Sequence, residues 1–154
     1  MSDTDSSRAR LVGLNHVALE VSDLDAAIEF YEGIFDFEIR GRLDSAVFLD
    51  MGDQFLAIME GDSPDSEDER RHFGLVVDDP EIVERRLEAL DIDRLSTGGL
   101  DFHDPWGNRV QIVGYEEIQF TKPDHIREPM GVGDLEKSDS AVAELDEKGM
   151  APEQ

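Results

Sequence analysis

Apolar and polar residues alternate along LVGLNHVALEV, residues 11–21. Val17, Leu19 and Val21 fall on one face of a strand, and Leu14, His16, Ala18 and Glu20 on the other. The period then changes to that of a helix. Leu24, Ala27, Ile28, Tyr31 and Phe35 form one apolar stripe behind the capping candidates Ser22 and Asp23. Three short strand-like runs follow at 37–42, 46–51 and 54–60, separated by the turn-formers Asp44-Ser45 and Gly52-Asp53. The pattern predicts a β-α-β-β-β unit over 11–60.

After GDSPDSEDER, residues 61–70, which holds no apolar residue and reads as a linker, the text starts again. RHFGLVVDDPEIVERRLEAL lies on NHVALEVSDLDAAIEFYEGI without a gap at a constant offset of 56 residues, placing His72 on His16, Leu75 on Leu19, Val77 on Val21 and Asp79 on Asp23. Asp79-Pro80 opens a helix, with Asp as cap and Pro in the first turn. Strands at 93–97, 99–103 and 109–114 complete a second copy over 71–115. The prediction is an α+β single domain, 11–115, of tandem βαβββ modules whose sheets form a half-barrel. A disordered N-terminus, 1–10, precedes it. A helical C-terminal extension, 116–154, follows, with helices near 123–128 and 135–147, packed on the outside or at a dimer interface.

In each copy the histidine lies on the face opposite the one that meets the helix, so both imidazoles are expected to face one cavity. A lone histidine on a strand is more often a satisfied structural residue; two at equivalent points of a repeat favour a functional role. In HDPWGNRVQIVGY, residues 103–115, the turn Asp104-Pro105-Trp106-Gly107-Asn108 leads into a strand. Val110 and Ile112 are assigned to the helix side, and Arg109, Gln111 and Val113 to the cavity.

Composition narrows the function classes. The 38 acidic residues face 14 basic ones, 11 Arg and 3 Lys, for a formal net charge of −24. Such a surface repels nucleic acid and anionic lipid, whose phosphates require basic side chains. The acid is spread along the chain, the composition of a halophilic protein, since molar salt shortens the Debye length to ~3 Å and screens the repulsion. The absence of cysteine excludes disulfides and thiolate ligands. Neither a signal-like N-terminus nor an apolar run of ~20 residues is present, so the chain reads as cytoplasmic with no membrane partner.

The order of His-bearing strand and helix, the interior run FLAIME, a second His-bearing strand and helix, and the turn DPWGN before a strand resembles the vicinal oxygen chelate superfamily. That family includes glyoxalase I, extradiol dioxygenases, methylmalonyl-CoA epimerase and the fosfomycin and bleomycin resistance proteins. The resemblance, over about residues 12–115, implies the glyoxalase/dioxygenase-like fold, a homodimer and a divalent cation (Fe, Mn, Ni or Zn). It implies metal ligands at His16, His72 and Gln111, with Ala57 at the fourth position. Gln111 stands where the family usually has Glu, and Ala57 cannot coordinate. Two His and one oxygen donor leave open positions on a metal for a chelating substrate. Glu60, three residues beyond Ala57, points to the other face of a regular strand, whereas Glu20 shares the face of His16.

The function implied is a divalent-metal-dependent enzyme, dioxygenase-like or lyase/isomerase-like, acting on a small oxygen-chelating organic substrate. The alternative is a metal-free module that sequesters a small molecule, as bleomycin resistance proteins do. Phe55, Met59, Phe102, His103, Trp106 and Arg109 are the candidate substrate-binding residues. No general acid or base is singled out.

Overall fold

The computed structural model describes residues 8–10, 12–62 and 67–151. The expected disordered N-terminus and the linker therefore lie partly outside the described residues. The first module comprises β1 (His16–Val21), α1 (Leu24–Ile34), β2 (Ile39–Leu43), β3 (Ala46–Asp50) and β4 (Phe55–Glu60). Helix α1 starts where Asp23 accepts from Ala26 N–H at 3.1 Å and runs to Ile34, with Phe35 as its C-terminal cap. Glu60 accepts from Leu24 N–H at 3.2 Å, so this acid serves the helix start on the side away from the face of His16. The sheet order is β1-β4-β3-β2, with β1 parallel to β4 and the other pairs antiparallel.

The second module repeats the plan with β5 (Phe73–Val77), α2 (Pro80–Ala89), β6 (Leu100–His103) and β7 (Arg109–Gly114), in sheet order β5-β7-β6. Asp79 caps α2 through Glu81 N–H at 3.0 Å, the counterpart of Asp23. The expected strand at 93–97 is absent. That segment, residues 93–97, holds a single apolar residue, Leu95, and then Gly98 turns with φ +84°. A single backbone bond, Leu95 N–H to Asp101 O at 2.9 Å, replaces the ladder, and Arg94 is held by Glu84 at 2.6 Å. The second sheet thus has three strands against four in the first.

Each sheet presents one side to its helix, as the alternation requires. Val21, Ile58 and Val47 are fully buried beneath α1 with Tyr31 of that helix; Val110 and Phe102 are buried beneath α2 with Leu87 of that helix. Phe30, Phe35 and Phe73 pack against both cores, so α1 lies between the helix-facing sides of the two sheets. The opposite, open sides consequently look away from each other within one chain.

Beyond β7 come a turn of 3-10 helix (Tyr115–Glu117), α3 (Asp124–Arg127) and α4 (Asp139–Glu147). Only Ala141 and Leu145 of α4 are buried, and α3 buries nothing fully. Cations organise this extension instead. Lys137 donates to the carbonyls of Tyr115 at 2.7 Å, Ile118 at 2.8 Å and Phe120, with its ammonium 3.7 Å from the Tyr115 ring centre. Arg127 donates to the carbonyls of Lys122 at 3.0 Å and of Gly133 and Leu135, both at 2.9 Å. Lys122 pairs with Asp53 in the β3–β4 turn and Lys148 donates to Gln119. All three lysines of the chain are spent in this way. Among the described residues no helix is long and apolar enough to cross a membrane.

Candidate functional site

Strand alternation puts His16, Ala18 and Glu20 on the open side of the first sheet, in register with Phe55, Ala57 and Met59 of β4, and with Asp50 and Phe48 beyond them on β3. The His16 ring lies flat on Phe55, with centroids 4.7 Å apart and planes 9° from parallel. Phe48 meets Phe55 edge-on at 5.5 Å. The ladder between β2 and β3 shifts register between Ile39 and Gly41, and at this irregularity the Arg40 guanidinium lies 4.7 Å from the centre of the Phe55 ring. Arg40 has no carboxylate partner among the described residues. Sequence reasoning missed it, because an arginine in an exposed strand gives no sign of the bulge that directs it.

The open side of the second sheet carries His72, immediately before β5, then Gly74 and Val76. Gln111 of β7 lies between Gly74 and Asp101 of β6, with Arg109 opposite His103. The register also fixes an equivalence: Ala57 stands beside Ala18 in the first sheet as Gln111 stands beside Gly74 in the second.

The two histidines share an electronic state. His16 Nδ1 is 2.9 Å from Asn15 Oδ1, and His72 Nδ1 is 2.8 Å from Arg70 O. Both partners accept only, so Nδ1 carries the proton in the neutral ring and Nε2 keeps an unshared lone pair. A ring oriented through one nitrogen and basic at the other is the usual state of an imidazole ligand.

Other candidates are committed elsewhere. Phe102 is fully buried under α2, so it faces the core and not the open side where a ligand would lie. Arg109 gives two hydrogen bonds, at 2.8 and 3.0 Å, to Oδ2 of Asp101, a carboxylate 1% exposed, and another to Glu69 O. His103 Nε2 is bonded to Asp68 O at 2.7 Å, and its Nδ1 lies 3.3 Å from Glu67. Together Arg109 and His103 tie down residues 67–69, where the chain enters the second module. Met59 is exposed beside Glu20.

The DPWGN turn is a joint between modules. Asp104, 3% exposed, accepts from Trp106 N–H, Asn108 N–H, Asn108 Nδ2 and the Tyr31 hydroxyl, the last at 2.9 Å. Gly107 takes φ +86°. Trp106 Nε1 donates to Ser22 Oγ at 2.8 Å and Asn108 Nδ2 to Glu20 O at 3.1 Å, so the turn grips the end of β1. Burial, with the Asp104 charge and hydrogen bond adding to it, holds the Tyr31 hydroxyl well above its usual pKa and therefore protonated.

Within one chain His16 is thus on one outer side and His72 with Gln111 on the other. Phe30 and Phe35 of α1 pack against the cores of both modules, and His16 and His72 do not line one cavity within the protomer. Among the described residues no three His, Asp or Glu side chains gather as a metal site. A cavity of about 540 Å³ does open at the end of the α1 layer beneath the extension; His16 lies on its rim, while His72 and Gln111 do not line it.

A sequence model described as the Glyoxalase/Bleomycin resistance protein/Dioxygenase superfamily matches residues 13–132. The metallothiol transferase FosB of Bacillus licheniformis is 27% identical over 116 residues, which is 67% of this chain and 75% of that protein. The fosfomycin resistance protein FosX of Listeria monocytogenes, solved with Mn(II) and sulfate, superposes with a TM-score of 0.58 at 22% identity, covering 67% of this chain and 92% of that one. A lactoylglutathione lyase structure from Agrobacterium tumefaciens gives 0.52 at 26% identity, covering 69% and 96%. With most of its length in that match and both modules folded to the same plan, the chain belongs to the glyoxalase/bleomycin resistance protein/dioxygenase superfamily.

Proposed function

We propose that the protein is a divalent-metal-dependent enzyme acting on a small oxyanion-bearing organic substrate, with its site completed between two copies of the chain. The observation that carries this reading is the matched state of His16 and His72, each oriented through Nδ1 and with no partner on Nε2 among the described residues, at equivalent points of two modules that pack through α1. Pairing two copies brings His16 of one toward His72 and Gln111 of the other. These three neutral donors suit a divalent cation and leave positions open, though without a carboxylate the cation is less neutralised than in a two-His-one-carboxylate site. Bound there, the cation supplies Lewis acidity toward a chelated substrate oxygen.

The chain's own residues supply the remainder. Arg40 presents guanidinium donors for an oxyanion beside His16, and Phe55 holds both groups by stacking. Asn15 and the Arg70 carbonyl keep the two imidazoles in the required tautomer. Met59 and Phe48 give the first sheet an apolar floor. The metallothiol transferase and the Mn(II)-bound fosfomycin resistance protein among the relatives support a metal and a small-molecule substrate.

The second reading, a metal-free binding module, is favoured by Ala57 and Gln111, which leave no carboxylate at either last-strand position. Metal content after tag-free purification in molar salt separates the two. Stoichiometric metal that is lost in both His16→Ala and His72→Ala supports the enzyme. A parent that stays metal-free after incubation with Fe(II), Mn(II), Ni(II) and Zn(II) overturns it.

A further inference from the structure

The cavity beneath the extension has Gly74 and Val76 of β5 in its wall and His16 and Phe55 on its rim, but neither His72 nor Gln111 lines it. Its volume, about 540 Å³, falls in the range of small-molecule sites, roughly 300–1,000 Å³. Phe35, Phe73 and Leu75 of the modules and Phe120, Val132 and Leu135 of the extension line it, and each stays only partly buried. Apolar loops normally collapse onto such side chains. Here the roof is fixed by polar clasps instead: Lys137 gathers the carbonyls of 115–120, and Arg127 those of 122, 133 and 135. These bonds are made within the extension itself, so the roof keeps its shape whether or not the space below is filled. Leu135 and Lys137 lie beyond the match to the family, which ends at residue 132.

Charge narrows the occupant. The two cations in the wall are already answered, Lys122 by Asp53 and Arg127 by Asp124. Asp36, Asp50 and Asp78 also line the cavity, and no cation pairs with them among the described residues. An anion would meet these carboxylates with no free positive group in the wall to answer it.

We infer that the cavity under the C-terminal extension is a second binding site, for an apolar small molecule without negative charge. The test uses the full chain in molar KCl, with the neutral dye Nile red as probe and 1-octanol and octanoate as competitors of equal tail length. The expected result is one dye per chain, displaced by octanol at a concentration at least tenfold below that of octanoate. Val132→Trp, which fills the space, is expected to weaken the dye at least tenfold with an unchanged far-ultraviolet circular dichroism spectrum. Asp50→Asn, a milder change, is expected to narrow the gap between octanol and octanoate. His72→Ala is expected to leave dye binding as in the parent, which separates this site from the His72 and Gln111 part of the proposed metal site. Absence of dye binding, equal displacement by octanoate, or undiminished binding in a folded Val132→Trp variant overturns the inference. So does a parent that binds no dye while Val132→Trp converts a dimer to monomers, which makes the space a subunit contact.

Discussion

The Asp104 carboxylate is among the most heavily used polar groups of the described residues. It is nearly buried and satisfies four donors, two of them backbone N–H groups of its own turn and one the hydroxyl of Tyr31 in the other module. Removing an acceptor from buried donors costs their desolvation as well as the bonds, about 1–3 kcal/mol for each stranded group. Asp104→Ala is therefore expected to lower unfolding free energy by at least ~3 kcal/mol, and Tyr31→Phe by ~1–2 kcal/mol, in urea denaturation. Both variants should leave metal content unchanged, since neither residue is on an open side. The turn itself was legible in DPWGN, because Asp, Gly and Asn at those spacings serve one geometry. Its partner Tyr31 was not, since the sequence showed only that residue's place in an apolar stripe. That Phe102 lies in the core of one module and Trp106 packs against that of the other was not legible for a similar reason: an aromatic residue in a strand or turn serves a core and a pocket equally well by pattern, and only packing decides.

At the scale of elements, the pattern was most informative where a period ran long enough to be counted. The His-bearing strands, α1, α2 and the caps Asp23 and Asp79 formed within a few residues of expectation. The segment 93–97 was assigned a strand by analogy with the first module, but a single Leu95 among Arg, Ser and Thr offers no buried face to hold an edge strand. The extension was legible as helices and not as a clasp, because amphipathicity does not reveal that lysines are directed to carbonyls. One of its anchors titrates. Hydrogen bonding to Lys122, opposed in part by burial, lowers the Asp53 pKa from 3.8. A carboxyl with a depressed folded pKa binds fewer protons folded than unfolded, so its contribution is present above 3.8 and is lost as pH falls through the lower, folded value. Hydrogen-exchange protection of residues 116–135 is expected to fall in that acid window ahead of the strands of the two sheets. Asp53→Asn is expected to show the lowered protection already at neutral pH.

The whole molecule carries a net charge of −24, and its carboxylates are distributed over both modules and the extension. In dilute buffer this self-repulsion opposes compaction; raising ionic strength from 0.1 to 1 M shortens the Debye length from ~10 to ~3 Å and removes most of it. The melting temperature is accordingly expected to rise steadily with KCl over that interval, and equally with NaCl, if screening is the cause. Salt also bears on assembly, since two copies of so acidic a chain must approach before a site between them can exist. The arrangement of open sides gives assembly a distinctive signature. With His16→Ala in one copy and His72→Ala in the other, a mixed dimer built from cross-paired modules contains one site lacking both histidines and one site retaining both. Neither variant alone has an intact site. Mixing the two in molar salt after partial unfolding is therefore expected to restore metal binding to about one-half per mixed dimer relative to the parent dimer's two sites. Were the site assembled inside one chain, every protomer in the mixture would lack a ligand, and no proportion of the two variants would recover any metal.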